Sequence, residues 1–235
     1  VLGLGLRHDA SQEKPMPAHL DKCRKNTQIH NHAQPSHPMK LRTLALVGAL
    51  FASSAVWAAD AAVDNLISSR CATCHGAEGH ATSPIFPSLA GQNRQYLIKQ
   101  LQDFRSKKRV SETMAPQVAD LSDETIAALA DFYAAKKPRT HRVSDADLIP
   151  GGRYIFTKGN SWSGVPACAS CHGENAAGTA TLPRLAGQNA RYLMSQLKDF
   201  NQRTRNNDNE AMHLVASRLT ELETKAVSDY LSQLP

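Results

Sequence analysis

The 235-residue sequence predicts an all-α chain in which two related domains follow one another. Three observations lead there. The run Cys71-Ala72-Thr73-Cys74-His75 returns 97 positions later as Cys168-Ala169-Ser170-Cys171-His172. A second block, Phe86-Pro87-Ser88-Leu89-Ala90-Gly91-Gln92-Asn93, returns at an offset of 96 as Leu182-Pro183-Arg184-Leu185-Ala186-Gly187-Gln188-Asn189. The segments after each block carry apolar residues at helical spacing, and no stretch alternates well enough to be a strand. Self-similarity with such small changes of offset is the mark of duplication.

The five-residue run carries chemistry as well as repetition. Cys-x-x-Cys-His is the attachment signature of a c-type haem. Two thiols one helical turn apart can add to the two vinyl groups, and the adjacent imidazole is then carried beneath the iron. With 5 Cys and 10 His in the chain, chance would supply roughly 0.005 such runs, so two are not accidental. A zinc ribbon would bring its cysteine pairs closer together than 97 residues, and a thioredoxin-like site would need βαβ patterning. Neither explains a His after each second Cys. The expected cofactors are two covalently bound haem c groups on Cys71, Cys74, Cys168 and Cys171, with His75 and His172 as proximal iron ligands.

In chain order, residues 1–38 are rich in His, Pro, Gln and charge and lack periodicity. They read as an unstructured leader, an unused upstream start or a cloning scar, absent from the mature protein. Residues 39–58 read as a signal peptide: Lys40 and Arg42 form its basic start, Leu44 to Val56 its apolar run, and Val56-Trp57-Ala58 its cleavage site. That run is short for a membrane span and is broken by Ser53 and Ser54. Domain 1 is placed at 59–140 and domain 2 at 144–235, hinged at the basic, Pro-broken stretch 136–142.

Each domain reads as three or four helices. Leading helices are expected from Ala62 to Cys71 and from Pro150 to Lys158. Middle helices carry Tyr96, Leu97, Leu101 and Phe104, and their repeat from Tyr192 to Phe200. The last helix of domain 1 starts at Ser122, buries Ile126, Leu129 and Tyr133, and stops before Pro138. Its counterpart starts with a Thr220-x-x-Glu223 capping box and turns Leu222, Val227, Tyr230 and Leu231 inward. Domains of this size have a thin core, so a covalently held porphyrin would be structural as well as functional.

Charge excludes one class of function. Residues 1–58 hold 7 Lys/Arg and 3 Asp/Glu of the chain's 27 and 21, leaving 20 against 18. A chain so balanced has no basic footprint for nucleic acid. The fifth cysteine, Cys23, lies in the leader, so no pair is left for a structural disulfide in the mature chain.

The sixth iron ligand decides whether the metal is closed or open. Met194 replaces Ile98 of the other copy and is expected in the core. Met114 and Met212 match each other, following their haem histidines by 39 and 40 residues. A thioether is a soft ligand that favours reduced iron, so these two are the expected distal ligands. His213, beside Met212, is the competitor, but Ala115 stands at its place in domain 1. His80 and His141 lack counterparts and are expected on the surface. Pro87 and Pro183 lie where a backbone carbonyl could orient each imidazole, and Gly76 and Gly173 where backbone could approach the haem.

Together the CxxCHG runs, the Pro-x-Leu-Ala-Gly-Gln-Asn segments, the helices ending in Asp-Phe and the later methionines closely resemble the cytochrome c4 family. The resemblance covers residues 60–235 and implies tandem cytochrome c-like domains facing each other about a pseudo-two-fold axis, with haem propionates close together. It implies the same haem-binding Cys, proximal His and distal Met residues named above. It also implies a bacterial periplasmic carrier, soluble or loosely membrane-associated. Quinol-oxidising complexes are the implied donors, and a terminal haem-copper oxidase the implied acceptor.

The expected function is a one-electron relay rather than an enzyme. A haem peroxidase would need an open iron and distal acid–base residues, which the sequence does not offer. The alternative is an electron-transfer subunit permanently docked on a dehydrogenase. The cluster Arg105, Lys107, Lys108 and Arg109, set against Asn206-Asn207-Asp208-Asn209 in domain 2, is a candidate patch for steering an acidic partner or a solvated helix end.

Overall fold

The computed structural model describes residues 61–143 and 145–235. The leader and signal-peptide segments therefore lie outside the described residues. Among those described, the chain is helical, with one isolated β-bridge between Asn160 and Val165.

Domain 1 opens with a continuous helical segment, α1, over 61–75. It is α-helical over 61–66, π-helical over Ile67–Cys71 and α-helical again over Ala72–His75. Then follow α2 (Arg94–Arg105), the short α3 (Ala115–Val118) and α4 (Asp123–Ala134). Ser122 caps α4, its Oγ accepting the Thr125 N–H at 3.2 Å, with Asp123 and Glu124 favourably placed in the first turn. The core gathers Ile67, Leu97, Phe104, Ile126, Leu129 and Tyr133 from three of these helices.

Domain 2 repeats the plan. A 3₁₀ turn (Ala146–Leu148) leads into α5 (Ile149–Lys158), followed by α6 (Ala169–His172), α7 (Ala190–Asn201), α8 (Ala211–Ala216) and α9 (Glu221–Gln233). The capping box of α9 forms as expected: Thr220 and Glu223 satisfy each other's backbone N–H groups. Gly152 lets α5 cross α9 closely, because a Cβ there would lie 2.0 Å from the Ala226 carbonyl oxygen. Phe156, Leu193, Val227 and Leu231 form the core. Leu222 departs from expectation and is 63% exposed. It sits in the first turn of α9, outside the stripe that faces α5 and α7.

The two domains are joined by reciprocal contacts between their repeated loops. Gln188 accepts the Ser88 N–H at 2.8 Å and donates to the Ser88 carbonyl at 2.9 Å. Gln92 does the same to Arg184, at 2.7 and 2.8 Å. Asn189 donates to the Phe86 carbonyl and Asn93 to the Leu182 carbonyl. Equivalent residues thus make equivalent bonds in both directions, as a pseudo-two-fold relation requires.

A second reciprocal layer is buried. Arg109 lies over the Phe104 ring of its own domain at 4.6 Å and donates to Gln196 and Tyr192 of the other. Arg205 lies over Phe200 at 4.4 Å and donates to Tyr96 and Gln100 across the joint. This corrects the reading of the basic cluster. Arg109 is buried in the joint, and Arg105 is paired with Asp123 and bonded to the Leu121 carbonyl. Lys107 and Lys108 remain as its exposed members.

Candidate functional site

One cavity of about 1290 Å³ runs through both domains and is lined by all eight predicted site residues: Cys71, Cys74, His75, Met114, Cys168, Cys171, His172 and Met212. Its walls are largely apolar side chains such as Leu97, Phe104, Leu129, Leu193, Phe200 and Leu231.

Each histidine is placed by the end of a short helix. His75 closes α1, and the chain leaves through Gly76 at φ +74°; His172 closes α6 and leaves through Gly173 at φ +79°. Only glycine holds such backbone cheaply. At Gly76 a Cβ would also lie 2.2 Å from the His80 carbonyl oxygen. The loop then returns so that the Pro87 carbonyl meets His75 Nδ1 at 2.9 Å, and the Pro183 carbonyl meets His172 Nδ1 at 3.2 Å. A carbonyl can only accept, so Nδ1 carries the proton and Nε2 keeps its lone pair. Burial pushes both imidazole pKa values down, with the proline carbonyls pulling back. Each ring is a buried, neutral, oriented base, which is what an iron ligand needs.

Burial acts on two of the four thiols, whereas Cys171 is exposed. Burial raises the Cys71 thiol pKa, and raises that of Cys168 to about 11. Among the described residues no three His, Cys, Asp or Glu side chains gather to hold a bare metal ion. The residues present instead fit a porphyrin: thiols one turn apart, a free imidazole nitrogen and a thioether on a large apolar cavity.

Met114 stands at the N-terminus of α3, where its N–H is held by Ser111 Oγ at 3.1 Å. Met212 lies in the first turn of α8, where its N–H is held by Asp208 Oδ2 at 2.6 Å. His213 does not line the cavity, and its Nδ1 meets the Phe200 carbonyl at 3.1 Å. Met194 is half-buried away from the cavity. His80 and His141 are not the surface residues expected. Both are half-buried: His141 lies within the linker, where its backbone N–H donates to the Ser232 carbonyl and its Nε2 is buried without a partner.

Sequence reasoning passed over Gln92, Gln188 and Arg205, and placed Arg109 in an exposed basic patch rather than in the joint. The signal for the glutamines was present in their repetition. For the arginines, a buried guanidinium and a surface one look alike in sequence.

Comparison with known proteins bears on the family and the fold. Residues 58–132 match the family described as cytochrome c oxidase, cbb3-type, subunit III, and residues 152–235 match cytochrome c. Cytochrome c4 of Pseudomonas aeruginosa is 37% identical over 198 residues, covering 83% of this chain and 96% of that protein. A thiosulfate dehydrogenase electron acceptor from Stutzerimonas stutzeri is 38% identical, covering 70% of this chain and 78% of its own. The crystal structure of reduced recombinant cytochrome c4 from Pseudomonas stutzeri superposes with a TM-score of 0.70 at 33% identity, covering 74% of this chain and 97% of that one. Duplication, haem runs and architecture thus converge: the chain belongs to the cytochrome c4 family, electron-transfer proteins rather than enzymes, with two cytochrome c domains and two covalently bound haem c groups.

Proposed function

We propose that Cys71 and Cys74 hold one haem and Cys168 and Cys171 the other, with His75 and Met114, and His172 and Met212, as the axial pairs. The single observation carrying this reading is that all eight side chains line one cavity, with both imidazoles turned by a proline carbonyl so that Nε2 is free. The haem irons supply the one-electron couple. The protein orients the imidazoles, excludes water with apolar walls and offers soft thioethers that favour the reduced metal. Domains 59–140 and 144–235 each carry one such site.

In this reading the mature protein is a periplasmic carrier. It accepts electrons from a quinol-oxidising complex and passes them towards a terminal haem-copper oxidase. A second reading, with the same haem chemistry, is favoured by the similarity to a thiosulfate dehydrogenase electron acceptor: the partner is then a dehydrogenase that delivers electrons to this chain. Stopped-flow mixing of the ferric protein with each reduced candidate donor separates the two, because only the physiological donor should reduce it at rates far above the other.

The ligand assignment is tested by an optical spectrum of the purified holoprotein, oxidised and reduced, with and without carbon monoxide. Two low-spin haems with a methionine-ligation band and no response to carbon monoxide are expected. A response in one haem would remove Met114 or Met212 from the ligand set.

A further inference from the structure

Domain 2 carries a hairpin that domain 1 lacks. In domain 1 the helical segment over 61–75 runs straight through Cys71. In domain 2 the leading helix stops at Lys158, and nine residues, 159–167, intervene before Cys168. Two backbone bonds between Asn160 and Val165, at 2.8 and 2.9 Å, close them into a hairpin. Its tip presents Trp162, which is 98% exposed. An indole left wholly in water forgoes the stabilisation that burial gives, and Trp is enriched where interfaces are strongest.

The hairpin is braced from several sides. The Trp162 N–H donates to Asn160 Oδ1 at 3.0 Å, and the Asn160 amide donates to Glu223 Oε1 at 2.7 Å. Arg218 donates to the Gly164 carbonyl at 3.0 Å. At Gly159, where φ is +73°, a Cβ would lie 2.2 Å from the Val165 carbonyl oxygen, so the backbones pack closely at its base. Backbone fixed before a partner arrives lowers the ordering cost of binding.

The hairpin also leads directly into the site. Pro166, Ala167 and Cys168 follow it and line the cavity, as do Ser170 and Cys171, both of which are exposed. The Cys171 side of the domain 2 site thus reaches the surface. Charge at the hairpin itself is positive. Lys158 and Arg218 are exposed, and neither is ion-paired among the described residues. Glu223, the carboxylate that touches the hairpin, is committed to Asn160 and to the Thr220 N–H.

Resting on the haem assignment proposed above, we propose that Trp162 is the docking anchor for a one-electron redox protein that offers an apolar pocket with an acidic rim. Lys158 and Arg218 meet the rim, and the partner is seated over the Cys171 side of the domain 2 site. One electron passes between the partner's redox centre and this chain, with no bond made and no proton moved. A lipid surface is the poorer match, because one indole offers little apolar area for anchoring.

The test uses the holoprotein and three probes: a thiosulfate dehydrogenase, a quinol-oxidising complex and a haem-copper oxidase. Binding is measured by calorimetry with both proteins oxidised, and electron exchange by stopped flow. With one of the three, Trp162→Ala is expected to weaken binding and slow exchange by about tenfold. Trp162→Phe is expected to restore part of the loss. Lys158→Gln combined with Arg218→Gln should slow association with the same partner at low salt and leave it unchanged at high salt. An unchanged low-salt rate would overturn the acidic rim. Wild-type behaviour of Trp162→Ala with all three probes overturns the proposal. So does sedimentation of the wild type, but not of Trp162→Ala, with phosphatidylglycerol vesicles, which would make Trp162 a membrane contact. The methionine-ligation band is recorded on the same samples. Its absence in the wild type would sink the ligand assignment, while the binding data would still report whether Trp162 anchors a partner.

Discussion

His75 and His172 are each 8% exposed, yet neither is an ordinary core histidine, because each has one nitrogen committed to a backbone carbonyl and one turned to a cavity. Replacing Met114 by Ala should open one iron only: carbon monoxide is then expected to shift half of the reduced haem spectrum and leave the other half unchanged. Gly76→Ala should act on the backbone rather than the metal. A Cβ there meets the His80 carbonyl and the φ is left-handed, so a loss of about 1–3 kcal/mol is expected, read as a lower denaturation midpoint of the holoprotein. The residues proposed to hold the haems stood out in the sequence because the spacing of Cys71, Cys74 and His75 suits one porphyrin, and all three line the cavity. Arg109 did not. Its role depends on which way a loop turns, and turning it inward converted a surface charge into a donor for Gln196 and Tyr192.

At the scale of elements, helix positions followed from periodicity and caps, while the fine geometry of their ends did not. Nothing in the sequence distinguishes the π-helical turn at Ile67–Cys71 from an ordinary one, and domain 2 has no π-helical turn before Cys168. Thr220 was legible because a capping box is a local signal. Thr220→Ala should cost about 1 kcal/mol, seen as a drop of a few degrees in the thermal midpoint. Adjacent glycines in α5 give a sharper contrast. A Cβ at Gly152 would strike the Ala226 carbonyl, whereas one at Gly151 would meet nothing within 4 Å. Gly152→Ala should therefore destabilise domain 2 by about 1–3 kcal/mol, and Gly151→Ala should be neutral or stabilising by up to about 1 kcal/mol. Chemical denaturation of the pair checks both signs.

For the whole molecule, the joint and the linker set the behaviour. Reciprocal bonds from Gln92 and Gln188 should make the two domains melt together, and the double substitution to Ala should split calorimetric unfolding into two transitions. The linker carries a pH dependence through His141, whose imidazole is held below its ordinary pKa by burial, the Gly187 backbone pulling back. In the unfolded chain it takes up a proton near pH ~6.5. The unfolded state then binds more protons, so stability is full above that value and falls as pH drops towards the lower folded pKa. His141→Gln should flatten that acid limb without abolishing it, because burial and Arg139 also lower the pKa of His80. Gln188 grips Ser88, the neighbour of Pro87, and Gln92 grips Arg184, the neighbour of Pro183. Each half thus steadies the carbonyl that aims the other half's imidazole. The ancestral copies are no longer spare parts of one another: a change in one glutamine is expected to reach the imidazole of the opposite half.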